Sequence, residues 1–408
     1  MQQDSPQLNI QQSEDQLLRS VRAVMRVEEV THGSPGDDFV VRFRGKILGD
    51  SEAAYERLNP VFSKQGMTLL FREEDSEHFV QGIPELEKPK PSNPSINVLL
   101  FILTLFSVLT AGVLYSLEDI AIIEERGLIL GILSQIPIGI PFAFSLLSIL
   151  LAHEFGHYLA ARYHKVPVSL PYFLPFPVSL FGTLGAFIKL KAPPRNRNAI
   201  LDIGIAGPLA GMAVAIPILF LGLVLSEVKP LPPTAFAMQG TTLEGNSLLY
   251  LGAKFIVTGQ LLPAPADYAG LNPVLYWIRY FFLGLPTPIG GTDILLHPIA
   301  WAGWAGLLVT ALNLIPAGQL DGGHVMYVLL GQKVRRTWPF IVVLLIGLGV
   351  VWSGWYLWAA MIFFMGRTHV QPLNEITPLD NRRKWIAIFG LLVFILVFTP
   401  VPLRSFLN

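Results

Sequence analysis

Phe142-Ala-Phe-Ser-Leu-Leu-Ser-Ile-Leu-Leu-Ala152 runs directly into His153-Glu154-Phe155-Gly156-His157 and on through Tyr158-Leu-Ala-Ala161. Two imidazoles four residues apart fall about 40° apart on one helix face, where both can bind a single Zn2+. The glutamate between them can take a proton from an attacking water. Ionisable groups are costly at bilayer depth and mark function when they occur there. The apolar flanks therefore say two things: this segment is a membrane helix, and its three polar residues are a candidate site. From His153 to Arg162 is nine residues, which sets the site about 13 Å inside the basic end of the helix.

The rest of the chain agrees with a membrane setting. Its 408 residues are 52% hydrophobic and 14% charged, against about 25% charged in soluble domains. Repeated apolar runs make it a polytopic α-helical membrane protein of about 6–8 spans, some discontinuous. Net charge is zero, which gives a nucleic-acid partner no electrostatic support. The absence of cysteine excludes disulfides, cysteine-held iron–sulfur clusters and thiolate zinc sites. Any metal must be held by His, Asp or Glu.

Residues 1–93 read as a small soluble α+β domain. The polar N-terminus lacks the apolar core of a signal peptide, and early acidic residues (Asp4, Glu14, Asp15) argue against a transit sequence. Residues 1–12 are expected to be disordered. A helix follows near 15–22, then strands near 23–30 and 39–48 separated by turn residues 33–38. An amphipathic helix at 52–64 and strands at 68–72 and 78–82 complete the domain. Lys88-Pro-Lys-Pro-Ser-Asn-Pro94 is a proline-rich linker. Residues 94–408 form the membrane domain, with its core at 127–330.

Within it, Ile96–Leu117 is the first span. The apolar region Gly127–Arg162 would measure roughly 54 Å as one helix, too long for a ~30 Å hydrocarbon core, and Pro137 and Pro141 are expected to divide it. Ala199–Leu225 is the next span. The short apolar pieces Ser247–Val257 and Leu275–Leu285 suit re-entrant or interfacial segments. Ile299–Leu330 is again overlong and breaks at Pro316 and Gly318. Pro339–Phe364 and Trp385–Val401 finish the chain. Basic residues (Arg162, Lys165, Lys189, Lys191, Arg195, Arg197, Lys333, Arg335, Arg336) put one set of helix ends on the cytoplasmic side or its equivalent. Arg382, Arg383 and Lys384 belong there too, which conflicts with a single crossing over 339–364; a hairpin at Ser353-Gly354 repairs the sign but leaves halves too short to span, so both arrangements stay open.

A hydrolytic zinc site takes three protein ligands and leaves one position open. Asn313-Leu-Ile-Pro316-Ala-Gly-Gln-Leu-Asp321-Gly-Gly323 interrupts an apolar run with a helix breaker and carries the only carboxylate between Asp293 and Glu375. Broken helices occur at membrane depth where they line a polar cavity. A turn outside the membrane with an aspartate cap is the alternative on position alone.

HEFGH followed by NLIPAGQLDGG resembles the site-2 protease family of intramembrane zinc metalloproteases, which pairs HExxH with NxxPxxxLDG. Gly207-Pro-Leu-Ala-Gly211 is similar to that family's small-residue motif in the following span. The branch resembled is the cyanobacterial and plastid one, including the ethylene-dependent gravitropism-deficient and yellow-green proteases. Its soluble region carries a GNLR motif, of which Phe43-Arg-Gly45-Lys46-Ile47-Leu48 keeps only the glycine. The resemblance implies one Zn2+ held by His153, His157 and Asp321, and Glu154 as general base. It places Asn313 and Pro316 beside the substrate. It also implies transmembrane protein substrates and a multi-pass location in a cell or thylakoid membrane, with the active site toward the cytoplasmic or stromal side.

In Gly182-Thr183-Leu-Gly185-Ala-Phe-Ile-Lys189 and the residues after it, Ala186–Lys191 alternates or runs apolar like a strand with glycines ahead of it; a surface loop after the helix is the alternative. A membrane helix must be unwound before it is cut, and a strand edge can hold it extended by β-augmentation. Gly182, Thr183 and Gly185, within the 183–190 stretch and its approach, are thus candidate substrate contacts. Two other classes compete. A transporter or metal channel predicts inverted repeats, and no repeat is evident. A catalytically inactive membrane-protein-binding homologue would not need Glu154, which is present.

Overall fold

The structure, a computed structural model, describes residues 15–34, 36–87, 90–116, 125–234, 236–238, 242–366 and 371–406. The expected disordered residues 1–12 and part of the proline-rich linker lie outside these. The N-terminal region opens with α1 (residues 15–22) and β1 (Met25–His32), followed by β2 (Val41–Ile47) and α2 (Ser51–Lys64). β3 (Met67–Glu74) and β4 (Glu77–Pro84) complete an antiparallel sheet of order β1-β2-β4-β3. Asp50 caps α2 by accepting from the Glu52 amide, which satisfies a backbone donor left open at the helix start. The apolar face of α2, through Ala54, Tyr55, Leu58 and Phe62, buries against Phe43, Leu69, Phe71 and Val80 of the sheet. Gly45 sits opposite a bulge in β1, and a Cβ there would come 1.9 Å from the Arg26 carbonyl oxygen. The glycine retained from the GNLR motif is thus a condition of strand pairing.

The second region is mostly helical. α3 (Pro94–Ser116), α5 (Ile136–Tyr163) and α6 (Arg197–Val224) are long and apolar enough to cross a membrane. The seven-residue α4 (Leu128–Ser134) precedes α5. The division of the 127–162 run therefore falls at Gln135, not at the two prolines. Pro137 occupies the first turn of α5, where its missing N–H costs nothing, and Pro141 is absorbed within the helix. At 28 residues α5 is about 42 Å long.

Between α5 and α6 lies a two-stranded hairpin of β5 (Tyr172–Pro175) and β6 (Thr183–Phe187). It folds back onto α3: Asn97 donates to the Leu170 and Pro171 carbonyls, and Ser107 donates to that of Gly182. After α6 come β7 (Glu227–Pro230), β8 (Thr242–Glu244), α7 (Leu248–Thr258), α8 (Pro273–Leu283) and β9 (Thr292–Leu295). Gly245-Asn246-Ser247 is a junction: Ser247 caps α7, and the Gly245 carbonyl accepts from the Trp304 indole.

The Ile299–Leu330 run splits into α9 (Pro298–Asn313) and α10 (Asp321–Leu330), with Pro316 and Gly318 in the intervening turn. Two twelve-residue helices, α11 (Trp338–Gly349) and α12 (Gly354–Met365), follow, interrupted at 350–353. The chain then forms α13 (Asn381–Val397) and β10 (Leu403–Ser405), which pairs with β8. The main core lies among α3, α5, α6, α9, α10 and α13.

Candidate metal centre

Small residues let α6 lie close against α5. A Cβ on Gly156 would come 2.5 Å from the Ala206 carbonyl oxygen, and one on Gly207 would come 2.1 Å from His157 Nε2. Gly207 thus makes the space into which the His157 ring projects, and Gly211 does the same more loosely beside His153. α10 approaches from the other side. A Cβ on Gly322 would strike the Leu314 carbonyl oxygen at 2.0 Å, and one on Gly323 that of Gly318 at 2.3 Å. The two glycines after Asp321 allow the chain to reverse from α9 and start α10 with its first residue facing α5.

The result is a closed triangle. His153 Nε2 and His157 Nε2 are 3.1 Å apart, and Asp321 Oδ2 lies 3.4 Å from the first and 3.3 Å from the second. Atoms held at 2.0–2.1 Å by a tetrahedral Zn2+ stand roughly 3.3 Å from one another. The three side chains could hold a metal ion, and their spacing suits zinc. The donor chemistry agrees. His157 Nδ1 is 2.7 Å from the Ile203 carbonyl oxygen, which can only accept, so the proton belongs on Nδ1 and the Nε2 lone pair points into the triangle. Both histidines and Glu154 are buried.

These groups open on a cavity of about 220 Å3. Asn313 lines it, with Nδ2 3.3 Å from His153 Nε2. Glu154 lines it too, and Glu154 Oε2 is buried without a hydrogen-bond partner among the described residues. The opposite wall is the end of the hairpin, Ala186, Phe187, Ile188 and Leu190. Gln319, Leu320 and His324 close the side toward α10.

The remaining candidate residues sit elsewhere. Thr183 is turned inward, its hydroxyl donating to the Leu174 carbonyl. Gly182 packs on α3 near Ser107, and Gly185 has φ +98° with open space at its Cβ position. None of these three lines the cavity, and neither does Pro316. The residues of this stretch that line the cavity, Ala186, Phe187, Ile188 and Leu190, fall within 183–190, one to five positions beyond Gly185. The Ile203 carbonyl had no side-chain signal at all.

A helical membrane fold with a His-Glu-His-Asp centre built on α5 and α10 defines a class of metal-dependent membrane enzymes. The chain belongs to peptidase family M50, which matches residues 141–351, just over half of it. It is 32% identical over 265 residues to the probable zinc metalloprotease EGY1, chloroplastic, of Arabidopsis thaliana, covering 64% of this chain and 43% of that protein. It is 27% identical over 374 residues to the probable zinc metalloprotease EGY2, chloroplastic, of Oryza sativa subsp. indica, covering 89% and 62%. Over 338 residues it is 30% identical to the corresponding EGY1 of Oryza sativa subsp. japonica, covering 78% and 52%. The chain thus spans about half the length of these relatives. No solved structure matches it.

Proposed function

We propose that the protein is an intramembrane zinc endopeptidase that hydrolyses peptide bonds in or near the transmembrane segments of other membrane proteins. The observation that carries this reading is the His153–His157–Asp321 triangle with Glu154 Oε2 beside it, buried and without a hydrogen-bond partner among the described residues. His153, His157 and Asp321 would hold one Zn2+. When bound, the ion supplies Lewis-acid polarisation of the scissile carbonyl and makes water more acidic. Glu154 takes the proton of the attacking water at Oε2 and returns it to the leaving amine. The Ile203 carbonyl keeps His157 in the tautomer the site requires. Asn313 orients the substrate backbone from the α9 side.

The substrate is held extended by the hairpin. β6 is paired only with β5 among the described residues, which leaves one edge for a third strand. The contacts are made by residues 183–190, with Ala186–Leu190 nearest the metal and Gly182, Thr183 and Gly185 shaping the turn behind them. Proline at Ala186 or Ile188 removes a backbone donor, so cleavage undiminished in both variants would eliminate the clamp.

We further assign residues 1–93 as the soluble domain and 94–408 as the membrane domain with 6–8 spans. The basic ends of α5 and α6 support placing the metal toward the cytoplasmic or stromal face of a cell or thylakoid membrane.

Comparative membrane proteomics of wild type against Glu154→Gln tests the reading. Uncut transmembrane stubs should accumulate in the variant, with activity on an isolated stub falling about a hundred- to ten-thousand-fold and zinc retained. Undiminished cleavage by Glu154→Gln would sink the mechanism.

A further inference from the structure

β3 is the outer strand of the N-terminal sheet, and its outer edge is bridged at Phe71. Residues 373–375, between α12 and α13 in sequence, lie along it: the Phe71 amide donates to the Leu373 carbonyl at 2.9 Å, and the Glu375 amide donates to that of Phe71 at 3.1 Å. Arg72 Nη1 adds a bond of 2.8 Å to the Pro372 carbonyl. On its other side the same segment pairs with the residues leading into α6. The Leu373 amide donates to Pro194 at 3.0 Å, and the Asn374 amide to Arg195 at 2.7 Å. The third attachment is to α10. Glu375 Oε1 accepts from the Tyr327 hydroxyl at 3.0 Å and from Gln332 Nε2 at 2.6 Å. Asn374 and Glu375 are 0% and 2% exposed, as buried as the hydrophobic core.

Seven residues thus join three bodies: the N-terminal domain, the start of α6, and α10. The latter two support the metal triangle. α6 supplies the Ile203 carbonyl to His157, and α10 begins with Asp321. Tyr327 lies six residues after Asp321, about 9 Å along a helix of only ten residues. Such a helix moves as a unit, so a bond at Tyr327 sets the pose of Asp321.

We propose that residues 371–377 are a positioning strap, with Glu375 its positioning residue, through which the placement of the N-terminal domain sets the geometry of Asp321. This rests on the reading of Asp321 as the third metal ligand. The strap couples a soluble domain to the metal centre without touching metal or substrate. Any partner that shifts the N-terminal domain acts on the site through Glu375.

The full-length protein in detergent provides the test, with zinc affinity measured by chelator competition and Co2+ substitution read by its d–d absorption. Tyr327→Phe keeps the buried ring and removes one bond to Glu375; Arg72→Ala removes the side-chain bond from the N-terminal domain and leaves the two main-chain bonds of Phe71. Each should weaken zinc binding on the order of tenfold and shift the Co2+ bands. The double variant should be no weaker than the worse single, because both break one path. Wild-type affinity and spectrum in Arg72→Ala would overturn the strap. A loosened N-terminal domain does not blur this, since the proposal then still requires the affinity to fall. Asp321→Ala separates the two claims: if it retains wild-type affinity, the ligand reading fails. The strap is then scored by hydrogen exchange over residues 321–330, which must quicken in Arg72→Ala; unchanged exchange overturns it.

Discussion

Two of the buried clusters of charged side chains among the described residues are built on opposite rules. At the metal centre, His153, His157 and Asp321 aim three lone pairs at one point, with no lysine or arginine among the residues lining the cavity. In the region between α6 and α9, the cluster brings its own counter-ion. Lys254 is fully buried, with Nζ 3.8 Å from Glu244 Oε1 and 3.9 Å from Asp293 Oδ1. Nζ also lies 4.4 Å over the Tyr250 ring, and the Tyr250 hydroxyl donates to Glu244 at 2.8 Å. A buried charge must be compensated. Where the chain supplies both signs the cluster is a strut, and where it supplies lone pairs alone it could hold a metal ion.

The comparison can be broken most directly at Asp321. Asp321→Ala should reduce bound zinc from a full complement to a trace and abolish cleavage, while stability without metal holds or rises. Metal analysis beside thermal melts decides this, and a zinc-replete Asp321→Ala would place the ligand elsewhere. Lys254→Met should show the reverse pattern. It strands two carboxylates in the interior at a cost of about 3–5 kcal/mol, read as a lower melting temperature, with zinc stoichiometry unchanged in the protein that folds. Gly207→Ala comes next. Its methyl group occupies the space of the His157 ring, so zinc affinity should fall roughly 10–100-fold with little change in melting temperature without metal.

The smallest effect is a pH dependence of the strut. Glu244, outside the membrane-spanning helices, is pushed up from its ordinary 4.5 to about 7, chiefly by burial and then by the neighbouring Asp293. Burial raises Asp293 as well. A carboxyl that holds its proton more tightly when folded stabilises the fold fully below pH 4.5, and that contribution is lost as pH rises through 7. Between pH 5 and 8 stability should therefore decline, by on the order of 1–3 kcal/mol. Glu244→Gln should flatten the profile of melting temperature against pH, and an unaltered slope in that variant would assign the dependence to another group.

The two clusters also differ in how far local sequence reveals them. His153 and His157 share one helix, so a spacing of four specifies their mutual geometry before any tertiary contact forms. Asp321 announces itself as a carboxylate inside an interrupted apolar run. Lys254, Glu244 and Asp293 belong to three separate elements, and no local pattern distinguishes them from solvated charges. The same contrast holds in the N-terminal domain. Its strand alternation and the capped α2 follow from residues within a few positions, whereas the segment that bridges β3 at Phe71 comes from some 300 residues downstream.

Helical period, apolar run length and turn residues are local properties, so the amino-acid order alone specified the long apolar helices, the break near Pro316, and the His-Glu-His face of α5. Packing alone decided which hairpin residues face that site, that the Ile203 carbonyl holds the His157 proton, that Gly207 makes room for its ring, and that Glu375 ties α10 to the N-terminal sheet. Each of these depends on backbone atoms or distant partners brought together by close helix approach. A backbone carbonyl is the same group at every position, and its role appears only when a neighbour arrives to use it.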